Sequence, residues 1–236
     1  GSLPAPVQAN ATRSMQAYAA MASAMDAEIG RLVAQLKATG QYDNTVFVFL
    51  SDNGPEPTDP MAHFRNRLYL RTQYDLEPGN IGRPGSFSYL GPGWASAAAA
   101  PFAGYKFTAS EGGLRVPLAI TLPGQSGQGG RISNAFTYVT DIAPTLLDLA
   151  GVHEVPGEWQ GRAVAPINGH SLLPLLKGVS PIAHAPEESI GYELSGNAAL
   201  FRGDYKLVRN LAPTGDGRWQ LFNIVNDPGE TQDLAA

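Results

Sequence analysis

The spacing of apolar positions changes several times along the chain, and each change predicts an element. Met15, Tyr18, Met21, Met25, Ile29, Leu32, Val33 and Leu36 advance in threes and fours. That spacing makes one apolar stripe along a helix over residues 15–40, a stripe that calls for burial. Gly40 ends the helix and Asp43-Asn44 turns the chain. Residues 45–50 then run Thr45-Val46-Phe47-Val48-Phe49-Leu50, almost wholly apolar, which reads as a strand buried on both faces in a parallel sheet flanked by helices. The run ends in Ser51-Asp52-Asn53-Gly54. In open α/β sheets ligands bind outside the carboxyl ends of the strands, so Asp52 and Asn53 stand where a site would be. The competing reading is a plain turn, because Asp, Asn and Gly are turn residues for steric reasons.

From residue 55 to 102 the chain is rich in Pro, Gly, Arg and aromatic residues without a sustained period. This predicts a long surface excursion over the strand mouths, with at most a helical turn at residues 97–100. A second strand is predicted over 116–122, with Pro117 confined to its beginning. A helix follows over 141–151, with Pro144 in its first turn and Gly151 past its end. Beyond it come a Gly- and Pro-rich connection, a short helix near 172–177, and strands near 189–194, 198–201, 205–209 and 219–223. Gly203-Asp204 and Gly215-Asp216-Gly217 between the later strands predict antiparallel pairing. Gly1-Ser2 reads as an expression scar. The predicted division is residues 3–160 as an α/β part and 161–236 as a linker with a small antiparallel β subdomain.

The candidate chemistry follows from these positions. Asp52 and Asn53 offer a carboxylate and an amide carbonyl, hard oxygen donors suited to Ca²⁺ or Mg²⁺. Lys106, just before Glu111-Gly112-Gly113, offers an ammonium that can meet a sulfate or phosphate oxygen as a point charge; the alternative is a solvated surface lysine. Gly112 and Gly113 either let the backbone approach closely or accommodate positive φ. Arg115 reads as a structural ion-pair partner. His63, with Glu56 and Asp59 near it in sequence, is an incomplete zinc set, weighed against an exposed histidine. His153, His170 and His184 receive no role.

Several segments carry a resemblance in one consistent order: the helix over residues 15–40, whose last part opens Met25-Asp26-Ala27-Glu28-Ile29-Gly30 and closes on Gly40, the Ser51-Asp52-Asn53-Gly54 strand end, and Lys106 followed by Glu111-Gly112-Gly113-Leu114-Arg115-Val116-Pro117. Thr140-Asp141-Ile142-Ala143-Pro144-Thr145, Gly169-His170-Ser171-Leu172-Leu173-Pro174, and Tyr205-Lys206 with Trp219-Gln220-Leu221-Phe222 continue it. Together they resemble the C-terminal portion of a bacterial arylsulfatase, within the sulfatase family of alkaline-phosphatase-like hydrolases. The resemblance implies a partial alkaline-phosphatase/sulfatase-like α/β sheet flanked by helices, with a small antiparallel C-terminal subdomain. It implies that Asp52 and Asn53 bind calcium and that Lys106 contacts sulfate. The family's nucleophile is a formylglycine made from Cys or Ser in a C/S-x-P-S/A-x-R motif. This chain has no cysteine and no serine in that setting.

Composition excludes some partners. A net charge of −5 without a basic cluster argues against nucleic acid, and no apolar run is long enough to span a bilayer. A hydrophobic content of 43% suffices for a core. The expectation is a truncated sulfatase-like hydrolase acting by metal-assisted hydrolysis of small activated phosphate or sulfate esters, with Lys106 catalytic and substrate-binding, and Asp52, Asn53 and His63 as metal ligands. The divalent ion is calcium by resemblance, or zinc in the truncated form. The alternatives are a silent half that needs its N-terminal half, and an anion-binding module. Uncovered faces at residues 15–36 and 45–50 predict a homodimer with a large apolar contact.

Overall fold

A computed structural model describes residues 4–124, 129–153 and 157–235; Gly1-Ser2 lies outside them. The chain opens with α1 (Ala5–Ala38), 34 residues long. Its many alanines favour helix intrinsically, and a proline sits in its first turn, where the missing N–H costs nothing. Gly40, at φ 70°, ends it, and the Gln41 N–H donates to the Leu36 carbonyl at 2.9 Å, capping the last turn. The amino-terminal part of α1 is anchored by Trp94, whose Nε1 donates to the Ala11 carbonyl at 2.9 Å. The predicted burial of the stripe does not occur: Met21 is 63% and Leu32 54% exposed. An apolar stripe fixes the face that prefers cover, and the described residues do not supply that cover.

Strand β1 (Phe47–Leu50) pairs with β2 (Leu118–Thr121) antiparallel, with Phe47 opposite Thr121 and Leu50 opposite Leu118. The expected parallel neighbour is absent among the described residues, and Phe49 is 46% exposed. A continuous apolar run reports a preference for burial and carries no information about the direction of pairing. The excursion between them is more ordered than its composition predicts, holding α2 (Phe64–Gln73) and α3 (Gly91–Ala99). Helix α2 buries only Leu70, so it lacks the stripe that would have marked it. The single turn α4 (Glu111–Leu114) leads into β2.

After α5 (Ile142–Leu149), β3 (Glu158–Trp159) pairs antiparallel with β4 (Arg162–Ala163), and α6 (Leu173–Leu176) follows. A four-stranded sheet then forms in the order β5 (Ser189–Leu194), β6 (Asn197–Arg202), β7 (Tyr205–Arg209), β8 (Gln220–Asn223). The pairs β6–β7 and β7–β8 are antiparallel, as the turn signals predicted. Gly203, at φ 56°, opens the two-residue turn from β6 to β7. Along β6, Ala199 and Phe201 are buried while Leu200 between them is exposed, the strand's period of two.

The compact units are residues 1–129 with 191–236, and residues 130–190. The antiparallel sheet thus groups with the first 129 residues, a different division from the boundary at 160. Its physical reason is a set of contacts between residues about a hundred positions apart. Lys206 of β7, fully buried, donates to Glu111 Oε1 at 2.9 Å, and the Glu111 N–H donates to Glu230 Oε2 at 2.9 Å. In the unit of residues 130–190, Thr145 Oγ1 donates to the Asp141 carbonyl at 2.6 Å and accepts from the Leu172 N–H at 2.7 Å, joining α5 to the segment before α6.

Candidate active site at the mouth of β1

The residues after β1 are bonded through their backbone to the loop that carries Lys106. The Gly54 N–H donates to the Gly113 carbonyl at 2.9 Å, and the Lys106 N–H donates to the Pro55 carbonyl at 3.1 Å. Gly54 leaves no room for a side chain, since a Cβ there would land on the Gly112 carbonyl. Gly112 and Gly113 are not among the glycines at positive φ. A Cβ on Gly113 would meet the Thr108 carbonyl, and one on Gly112 the carbonyls of Ala103 and Gly104. Of the two readings of this pair, close backbone approach is the one found.

Asp52 is exposed and Asn53 half-buried. The Asn53 N–H donates to Asp52 Oδ1 at 3.1 Å, and Asn53 Nδ2 donates to the Gly54 carbonyl at 3.0 Å. The second bond turns the amide so that its nitrogen is committed to the backbone and its oxygen is available. A carboxylate and an amide oxygen on consecutive residues are donors that suit a hard divalent cation, whose six to eight oxygen ligands must then include water or other groups.

Lys106 is partly exposed, and its Nζ lies 3.0 Å from Glu56 Oε2. Burial raises the Glu56 carboxyl, and hydrogen bonds from Thr58 and Lys106 outweigh that, so the group sits below its ordinary value. The loop around Lys106 is held from outside. Phe107 adopts φ 73°, and its carbonyl accepts from Asn197 Nδ2 at 2.8 Å. Asn210 Oδ1 accepts from the Ala109 N–H at 2.7 Å while its Nδ2 donates to Ser110 Oγ at 2.9 Å. Beneath this turn the carboxylates of Glu111 and Glu230 converge on Lys206. Burial raises the Glu230 carboxyl, incompletely offset by Lys206. Its Oε1 lies 2.9 Å from Lys206 Nζ but off the hydrogen-bonding direction, and has no other donor. Arg115 sits 3.6 Å from Glu111 Oε2, the ion pair its position predicted.

His63 stands at the N-cap position of α2 without a side-chain capping hydrogen bond, and is exposed. Among the described residues it belongs to no group of three or more histidine and carboxylate side chains with ligand atoms within 4.8 Å of one another. Glu56 is taken by Thr58 and Lys106, and Asp59 Oδ1 accepts from the Met61 N–H at 2.9 Å. Backbone bonds thus join the loop after Asp52 and Asn53 to the loop of Lys106, Lys106 pairs with Glu56, and His63 stays apart from any such histidine and carboxylate group among the described residues. Sequence reasoning missed Glu56 as the partner of Lys106 and missed the clamps Asn197 and Asn210, which no local spacing signals.

A sulfatase family model matches residues 4–152. The chain belongs to the sulfatase family. A second model, for the C-terminal part of N-sulphoglucosamine sulphohydrolase, matches residues 105–236. The chain is 34% identical over 234 residues to an uncharacterized sulfatase of Schizosaccharomyces pombe, covering 94% of this chain and 40% of that one. It is 42% identical over 139 residues to the arylsulfatase of Klebsiella aerogenes, covering 58% of this chain and 30% of that enzyme. The sulfatase chain thus spans well under half the length of these relatives. Among solved structures, Ps i-CgsB in complex with k-i-k-neocarrahexaose superposes with a TM-score of 0.59 and 27% identity, over 92% of this chain and 38% of the other. The partial alkaline-phosphatase-like fold expected from the sequence is the one found. Among the described residues, no helix is long and apolar enough to cross a membrane.

Proposed function

We propose that this sulfatase chain supplies the cation-binding and oxyanion-contacting part of an ester-hydrolase site at the carboxyl end of β1, acting on sulfate esters and on activated phosphate esters of similar shape. The observation that carries the reading is the fixing of Lys106. A phenylalanine in the left-handed region costs about 1–3 kcal/mol and persists only where its surroundings impose it. Asn197 holds the Phe107 carbonyl, Asn210 holds Ala109 and Ser110 just after it, and the lysine before it shares a backbone bond with the loop that follows Asp52 and Asn53. A lysine serving only as a solvated surface group needs no such support.

Asp52 and Asn53 are the residues that would hold a divalent ion, calcium by the family pattern. Bound there, the ion would supply positive charge to the oxygens of the ester. Lys106 would take one of those oxygens and stabilise the negative charge that grows on it. Its pair with Glu56 is no obstacle, because a partly exposed ion pair is worth about 0–1 kcal/mol and an arriving sulfate oxygen replaces one anion by another.

The exposed stripe of α1 and the exposed Phe49 favour a shared site, completed by further sulfatase sequence or by a second copy of the chain covering those faces. Turnover of an activated aryl sulfate and an aryl phosphate, before and after chelation, tests the proposal. The expected result is metal-dependent hydrolysis, by the chain alone or once it is mixed with the remaining sulfatase sequence. Lys106→Ala should lower kcat by about 10²–10³, the usual cost of one oxyanion donor. Metal-independent turnover, or full turnover in Lys106→Ala, would contradict it.

A further inference from the structure

The unit of residues 130–190 contains a second cluster that the β1 site does not use. Asp141, fully buried just before α5, accepts three times. The Tyr138 N–H donates to its Oδ2 at 2.7 Å, the His170 N–H donates to its Oδ1 at 2.9 Å, and His184 Nε2 lies 2.8 Å from Oδ2. Two backbone donors identify this carboxylate as an acceptor, so the imidazole nitrogen facing it is the one that carries a proton. In the neutral ring the other nitrogen, Nδ1, then carries the lone pair that a metal ion takes. That nitrogen is 3.1 Å from Glu188 Oε2, while His170 Nε2 is 3.2 Å from Glu188 Oε1. The two rings lie 4.6 Å apart, centre to centre. A ligand atom from each of His170, His184 and Glu188 comes within 4.8 Å of the other two.

We propose that His170, His184 and Glu188 bind a divalent transition-metal ion of the zinc type, with Asp141 as the outer partner that orients His184. Two imidazoles and one carboxylate select zinc-like ions over calcium or magnesium. A buried carboxylate accepting the far N–H of a ligating histidine is the arrangement that fixes ring orientation and tautomer at such sites. Three protein ligands leave a fourth tetrahedral position to water. The half-exposed His170 ring gives the ion its way in, while His184 is almost wholly enclosed. The ion would tie the segment after residue 169 and the segment before β5 to the start of α5. It is separate in chemistry from the all-oxygen pair at Asp52 and Asn53.

The test is calorimetric titration of chelator-stripped chain with zinc chloride near neutral pH, with calcium in excess as competitor. One equivalent of zinc should bind. Affinity should fall at least about tenfold in His170→Ala and in Glu188→Gln, and by about 10–100-fold in Asp141→Asn, as outer-partner changes do elsewhere. His63→Ala should bind zinc as the parent does. Because Asp141→Asn removes a buried acceptor and can unfold the unit, the half-exposed His170→Ala, checked by circular dichroism, decides the matter. Cobalt(II) bound in zinc's place should give the visible bands of a tetrahedral nitrogen and oxygen site, and His170→Ala should lose them. No saturable zinc binding, binding unchanged in folded His170→Ala, or loss in His63→Ala would overturn the proposal and leave the cluster as an ion-pair network.

Discussion

Replacing Lys206 by methionine keeps most of the side chain's length and removes its charge together with the N–H donor that Glu111 accepts from. In the parent, one ammonium with no exposed surface stands 2.9 Å from Glu111 Oε1 and 2.9 Å from Glu230 Oε1, both on almost fully buried side chains. The variant leaves two carboxylates there, with Arg115, 3.6 Å from Glu111, the remaining ion-pair partner among the described residues and the Glu111 N–H still donating to Glu230. Removing one partner of a buried pair costs about 3–5 kcal/mol, a large share of the roughly 5–15 kcal/mol that holds a domain together. With a urea slope of about 2 kcal/mol per molar, the midpoint should fall by about 2 M. The pH dependence gives a second check. Glu230 is already raised above its ordinary 4.5 by burial. A raised carboxyl contributes stability that is fully present below the unfolded value and lost as pH rises through the folded one. Without Lys206 the Glu230 carboxyl loses the charge that offsets its burial and is pushed further up, so the deficit against the parent should be largest at neutral pH and shrink as pH falls toward 4.5. Adding Glu111→Gln and Glu230→Gln should recover much of the loss. A midpoint shift below about 0.3 M, or a deficit independent of pH, would refute the reasoning.

Gly54→Ala places a methyl on the Gly112 carbonyl. Overpacking costs about 1–3 kcal/mol, so thermal scanning should register a fall of about 2–10 °C, and an unchanged midpoint would mean that the two loops are not in contact. Tyr89 is raised from 10.0 to about 12, by burial first and then by its hydrogen bond to Asp59. Its contribution to stability should be present below pH 10 and lost between about 10 and 12; Tyr138 is also raised by burial, so ultraviolet titration should find late phenols of which Asp59→Asn moves one part of the way back, and identical titration of the two proteins would remove the hydrogen bond from the account.

The strand mouth was legible because an apolar run ending in Asp52-Asn53-Gly54 constrains where the chain leaves a sheet. The C-terminal strands were legible to within a residue or two, because Gly203-Asp204 and the later glycines punctuate them. Strand direction was not legible: β1 has the composition of a parallel strand and pairs antiparallel with β2. Neither was α2, whose exposed Phe64, Leu68 and Tyr69 make no stripe. Lys206 and Glu111 are 95 positions apart, and no local pattern brings them together. The His170 cluster lies in aperiodic connections, where the four-residue spacing of His184 and Glu188 was its one local signal.

The central claim is that Asp52 and Asn53 form a cation site beside a fixed Lys106, and calcium titration of the parent and Asp52→Ala tests it most directly. The account predicts weak saturable binding in the parent, with a dissociation constant of about 10⁻⁴–10⁻³ M as in sparsely ligated modules. The variant should fold normally and show no such binding. Calcium binding of equal strength in folded Asp52→Ala would contradict the claim and move the cation away from the mouth of β1.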